Sequence, residues 1–162
     1  MQRTRCVGTS FKVYLPLIDE PATYHENLED LNVDVMGDET SLIAEDEEEA
    51  RFSISETLKI CGYKIIELPN GIDAIQKSME YKNTINLLLT DVVMPQMSGR
   101  ELVQKFLSLR PVTKVLYMSS YTDSSIIHQG ILDSETRFVQ KPFTPVALAK
   151  KIREILDHNS MD

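Results

Sequence analysis

The chain has 162 residues, and 17 Lys plus Arg against 25 Asp plus Glu give a formal net charge of −8. That length suits one domain with a short appendage, and 42% apolar with 26% charged residues is an ordinary soluble composition. No run approaches the apolar length of a membrane helix, the acidic balance disfavours nucleic acid, and Cys6 and Cys61 lack any paired metal-site or disulfide spacing.

The acid is concentrated early. Residues 1–39 hold eight acids and three bases, a net of −5, while residues 40–162 hold 17 acids and 14 bases, a net of −3. Within the early part, Phe11, Val13 and Leu15 alternate with polar neighbours in TSFKVYLP, which predicts one strand ahead of an acidic linker over 17–39. A lone strand needs partners for its edges and its apolar face, so this one either packs on something supplied by another chain or is left over from a larger domain.

From residue 41 the chain becomes regular. Five short apolar runs are predicted as strands: 41–45 (SLIAE), 63–68 (YKIIEL), 85–90 (INLLLT), 114–119 (KVLYMS) and 136–140 (TRFVQ). Segments with helical spacing separate them. Ala50, Ile54, Leu58 and Cys61 share the face of a first predicted helix, with Gly62 just past its end. Ile72, Ile75 and Met79 mark a second. Leu102, Phe106 and Leu109 mark a third, opened by Ser98 and stopped at Pro111. Ile126, Ile127 and Ile131 mark helix 4, and Leu148, Ile152 and Ile155 mark helix 5, which opens on Thr144-Pro145. Strict alternation with connections of this length predicts right-handed crossovers and a parallel sheet. The expected fold is α/β: a five-stranded parallel doubly wound, flavodoxin-like sheet of order 2-1-3-4-5 with flanking helices, spanning residues 40–158.

In that order the sheet reverses between the first and third strands, where ligands bind at the C-terminal strand ends. There the sequence places Glu45-Asp46, Asp91, Ser119-Ser120 and Lys141-Pro142. Converging carboxylates repel one another unless a cation intervenes, and oxygen donors with room for water suit Mg²⁺. A lysine and a hydroxyl nearby suit an anionic phosphoryl group, and Asp91 is the natural nucleophile. Taken singly each is weak: Glu47, Glu48 and Glu49 read as a solvated acidic first turn, and an Asp at a strand end is commonly a turn residue.

The segments LIAEDEEEAR, LLLTDVVMPQMSG, VLYMSS and FVQKPF resemble, in order and spacing, the signatures of response-regulator receiver domains. The resemblance covers residues 41 to about 157. It implies Asp91 as phosphoacceptor, with Mg²⁺ held by Glu45, Asp46, Asp91 and the backbone carbonyl of Val93. It implies Ser119 and Lys141 as the groups that bind the phosphoryl oxygens and Phe138 as the aromatic switch residue. Pro142, Pro95 and Gly99 take structural roles, and the Lys141–Pro142 bond is cis in many members. Two departures stand out. Phe138 replaces a common tyrosine, and neither Val93 nor Tyr121 can orient an attacking water, which implies slow loss of the phosphoryl group.

Gly8-Thr9-Ser10-Phe11 with KVYLP is similar to the last glycine box and final strand of a histidine-kinase ATP-binding domain. The order of that remnant, acidic linker and receiver is that of a hybrid sensor histidine kinase. The implied function is a two-component phosphorelay receiver that takes a phosphoryl group from phosphohistidine onto Asp91 and switches the face of helix 4, strand 5 and helix 5. It is a phosphoacceptor signalling domain rather than an enzyme, and the chain alone is not expected to bind ATP. The partner is a histidine kinase or histidine phosphotransfer domain, with that face also a candidate homodimer surface. The expected setting is cytoplasmic, without nucleic acid or membrane contact by this segment. The alternative is a phosphorylation-independent receiver-like interaction module. A phosphatase using Asp91 would want a second acid where Val93 stands.

Overall fold

A computed structural model describes residues 35–120 and 137–158. The predicted strand at Phe11–Leu15, the predicted helix at Ile126–Ile131 and Tyr121 lie outside the described residues. The described elements are β1 (Thr40–Ala44), α1 (Glu48–Ile60), β2 (Lys64–Leu68), α2 (Gly71–Glu80), β3 (Leu87–Asp91), α3 (Gly99–Leu109), β4 (Lys114–Ser119), β5 (Phe138–Gln140) and α4 (Pro145–Asp157). The strands pair in the order β2-β1-β3-β4-β5, all parallel, as the alternation predicts. The connection reverses direction between β1 and β3.

Burial on both faces explains the unbroken apolar runs. Along β1 and β3, Ile43, Leu87 and Leu89 face one core with Ile54 and Leu58 of α1 and Leu148, Ile152 and Ile155 of α4. Leu42, Ala44 and Leu88 face the other with Ala74 of α2 and Leu102, Val103 and Phe106 of α3. At about 25 cal/mol per Å² of apolar surface, these central leucines and isoleucines stabilise the fold by roughly 1.5–3 kcal/mol each before entropy is counted. Helix ends carry the chemistry their sequences foretell. Ser98 and Glu101 form a reciprocal capping box at α3, and the Thr144 side chain accepts from Ala147 N at α4 with Pro145 in the first turn. Gly62 takes φ +92 just past α1.

Two apolar stripes differ from expectation. In α2, Gly71, Ala74 and Ser78 are buried and Ile75 is half-buried, while Ile72 and Met79 are exposed. The helix turns its small residues inward, which brings its first turn against Met97: a Cβ on Gly71 would lie 3.0 Å from the Met97 sulfur. In α3, Val103 is buried and Leu109, at the last turn, is exposed.

Residues 35–39, expected in the acidic linker, pack on the domain instead. Val35 is buried with Tyr63 and Ile152, Gly37 N donates to Cys61 O at 3.0 Å, and Lys64 N donates to Glu39 O at 3.0 Å. Gly62 faces this strap closely: a Cβ there would lie 2.6 Å from Gly37 O.

Candidate functional site

The register of the sheet assembles the site. Ala44 pairs with Thr90, so Glu45 leaves β1 just as Asp91 ends β3. Ser119 ends β4 opposite Gln140, and Lys141 follows at the exit of β5, its N–H donating to Ser119 O at 2.7 Å. Glu45 N still reaches Leu68 O, at 3.2 Å, which fixes the first residue beyond β1. Side chains that leave adjacent strand ends in this way must share one crevice.

Lys141 Nζ bridges that crevice, donating to Asp91 Oδ2 at 2.6 Å and Glu45 Oε2 at 2.7 Å. The other Asp91 oxygen, Oδ1, accepts from Val93 N at 3.0 Å. Glu45 is 1% exposed, Asp91 is half-buried and Asp46 lies at the rim. Burial raises the Glu45 carboxyl above its ordinary value, opposed by the Lys141 hydrogen bond and reinforced by Asp91. Burial would lower the Lys141 ammonium, but its bonds to Asp91 and Glu45 outweigh that and raise it. The lysine is therefore a fixed positive charge.

One ammonium does not balance three acids. Oxygens of Glu45, Asp46 and Asp91 lie within 4.8 Å of one another. A small divalent cation with ligands at about 2.1 Å spans distances of that order and prefers hard oxygen donors. The donor set, all carboxylate and with excess negative charge, fits Mg²⁺.

The segment after Asp91 is shaped by backbone contacts. Thr90 Oγ1 donates to Asp91 O at 3.0 Å, and Gly99 N donates to Val92 O at 3.0 Å. A Cβ on Gly99 would lie 2.0 Å from Asp91 O, so only glycine allows this approach. Pro95 is exposed in the turn, its carbonyl accepting from Met97 N at 2.8 Å, and Gln96 between them takes φ +67. The Lys141–Pro142 bond is cis. Ser119 is buried at the end of β4, and Phe138 is half-buried on β5 opposite Tyr117. Val93 is exposed.

Three features were not anticipated from the residues alone. Arg51 Nη1 donates to Glu45 O at 2.6 Å and approaches Asp46 O at 3.4 Å. Thr90 holds the carbonyl of Asp91. Gln96 adopts a left-handed conformation that most residues avoid. Arg51 carried a signal, since it lies a turn and a half beyond the acids on the helix they lead into.

Residues 41–153 match the family described as response regulator receiver domain. The chain belongs to the response-regulator receiver family. The sensor kinase CckA of Brucella abortus (strain 2308) is 29% identical over 157 residues, covering 93% of this chain and 17% of the kinase. The response regulator receiver protein CpdR of the same organism is 28% identical, covering 71% of this chain and 94% of that protein. The receiver domain of hybrid histidine kinase CckA superposes with a TM-score of 0.62 at 27% identity, covering 73% of this chain and 99% of that domain. Vibrio cholerae chemotaxis protein CheY4 gives 0.65 at 26%, covering 74% and 99%. The chain spans only 17% of the sensor kinase and 31% of a cyclic di-GMP phosphodiesterase from Thermotoga maritima. It is a two-component phosphorelay receiver, a signalling domain whose family works with histidine kinases or phosphotransfer proteins. Among the described residues no helix is long and apolar enough to cross a membrane.

Proposed function

We propose that this receiver takes a phosphoryl group from the phosphohistidine of a histidine kinase or histidine phosphotransfer domain onto Asp91. The observation that carries the reading is the Lys141 ammonium, seated between Asp91 Oδ2 and Glu45 Oε2 at 2.6 and 2.7 Å. A carboxylate oxygen of Asp91 attacks phosphorus, the bond from phosphorus to the histidine nitrogen breaks, and an acyl phosphate forms. Glu45, Asp46, Asp91 and the Val93 carbonyl would hold Mg²⁺, and the ion, when bound, would supply positive charge beside the phosphoryl oxygens. Lys141 pairs with one of those oxygens and the Ser119 hydroxyl with another. Phe138 follows Ser119 inward and remodels the face formed by β5 and α4. That face is also the proposed homodimer surface.

The alignment with the sensor kinase covers 93% of the chain, well beyond residues 41–153, and so supports residues 1–16 as the end of a kinase ATP-binding domain. The acidic stretch from residue 17 up to the packed strap at 35–39 then joins it to a C-terminal receiver, as in a hybrid sensor kinase, in a cytoplasmic setting and acting as a switch rather than a turnover enzyme. The net charge of −8 supports a protein rather than a nucleic-acid partner.

Acetyl phosphate with Mg²⁺, followed by intact-mass spectrometry of wild type and Asp91→Asn, tests this. Wild type gains one phosphoryl mass and D91N gains none. No gain in wild type, or an equal gain in D91N, overturns the assignment, and the first result favours a phosphorylation-independent interaction module.

A further inference from the structure

The β1–α1 turn is fastened by a side chain from the helix that follows it. Ala44 is the last residue of β1, and the Glu45 carbonyl points beyond the sheet ladder, where it accepts from Arg51 Nη1 at 2.6 Å. The same nitrogen lies 3.4 Å from Asp46 O. The Arg51 backbone N–H donates to Glu47 O at 2.9 Å, which closes the first turn of α1. One residue thus ties three successive carbonyls of the turn that carries both leading acids.

What Arg51 leaves alone is equally informative. Its two bonds to this turn end on carbonyls, so the Glu45 and Asp46 carboxylate oxygens are not taken up by its guanidinium. Glu45 is buried, with Oε2 on Lys141 and Oε1 3.4 Å from Glu47 N. Asp46 is exposed, so packing does not place its carboxylate, and the backbone of the turn sets where its side chain starts.

We propose that Arg51 is a positioning residue for the cation site, holding the β1–α1 turn so that Glu45 and Asp46 present their carboxylates toward Asp91. The inference rests on the reading that this pocket takes Mg²⁺, and it adds a residue outside the ligand set. Groups that orient ligands from behind typically change metal affinity about 10–100-fold when removed.

The sign of the effect separates positioning from charge. Arg51 is a cation beside an acidic pocket, and a bare charge would weaken Mg²⁺ binding, so removing it would tighten binding. A positioning residue does the reverse. The experiment is a Mg²⁺ titration of the full chain without phosphodonor, followed by backbone amide shifts of residues 45–47 and 91–93, in wild type, Arg51→Gln and Arg51→Lys. A thermal melt of each protein is recorded without Mg²⁺. Wild type saturates; R51Q binds about tenfold more weakly; R51K, whose ammonium reaches one carbonyl but not both, falls between them at about threefold. A folded variant of either kind that binds as tightly as wild type, or more tightly, overturns the proposal even if its melting temperature falls. Should R51Q fail to fold, R51K alone decides on the same criterion. Wild type that does not titrate overturns the Mg²⁺ reading itself, and the Arg51 role with it.

Discussion

Arg153 on α4 holds both carboxylate oxygens of Glu39, 114 positions earlier, through Nη1–Oε2 at 3.1 Å and Nη2–Oε1 at 2.7 Å. The same guanidinium lies 3.4 Å from both Met36 O and the Tyr63 hydroxyl, so the strap of residues 35–39 is fastened to the last helix rather than draped over it. Bidentate, partly buried pairs of this kind contribute more than exposed ones.

Glu39 therefore makes stability depend on pH. Arg153 holds its carboxyl below the ordinary 4.5. A depressed folded value means the contribution is complete above the unfolded value and is lost as pH falls through the folded one. Glu39→Gln is expected to cost about 1–2 kcal/mol near neutral pH, a charge-assisted bond discounted for partial exposure. The gap between wild type and E39Q closes at pH values below 4.5. Urea unfolding of both proteins across that range checks it, and a gap independent of pH would show that the ion pair is not its source.

Lys141 occupies oxygens that the proposed cation also needs. Lys141→Met removes that competitor from Asp91 and Glu45, so Mg²⁺ binding should tighten several-fold. Phosphorylation by acetyl phosphate should nevertheless fall by about tenfold or more, because a charge-assisted donor to the phosphoryl group is gone. Titration and labelling rates measured on one preparation read both effects. Loss of both together would point to a collapsed pocket.

Gly99 admits no side chain. With a Cβ placed 2.0 Å from Asp91 O, Gly99→Ala must displace backbone rather than a flexible chain end. The expected destabilisation is about 3 kcal/mol or more, at the upper end of overpacking costs. Since the displaced atom belongs to Asp91, phosphorylation should fall further than the folded fraction does. Chemical denaturation beside a labelling time course separates the two.

Glu45, Asp91 and Lys141 were legible because each stands where an apolar run stops, and in a parallel sheet those stops converge. Other parts escaped for stated physical reasons. The strap was masked by its acids: Asp38 and Glu39 read as solvated linker, while Val35 alone cannot announce a packed segment. In α2 the larger residues Ile72 and Met79 were expected inward, but close packing there favours Gly71, Ala74 and Ser78. Arg51 carries a signal in its position alone, a turn and a half beyond the acids. Its partners are backbone carbonyls, which leave no mark in the composition.

Val93 bears on how long the signal lasts. Its backbone N–H holds Asp91 Oδ1 at 3.0 Å, and its side chain is 60% exposed, an aliphatic group at the mouth of the pocket. It can neither accept a proton from water nor align one by hydrogen bonding, so hydrolysis of the Asp91 acyl phosphate receives no help there. The phosphorylated protein should persist for minutes or longer once donor is removed, and decay within seconds would sink the idea. Val93→Glu places a carboxylate at that mouth and should shorten the lifetime by about tenfold, the low end of general-base effects. Because the position is exposed, stability should change by less than about 0.5 kcal/mol. Phosphate release in the presence of Mg²⁺, followed for wild type and V93E, gives the ratio directly.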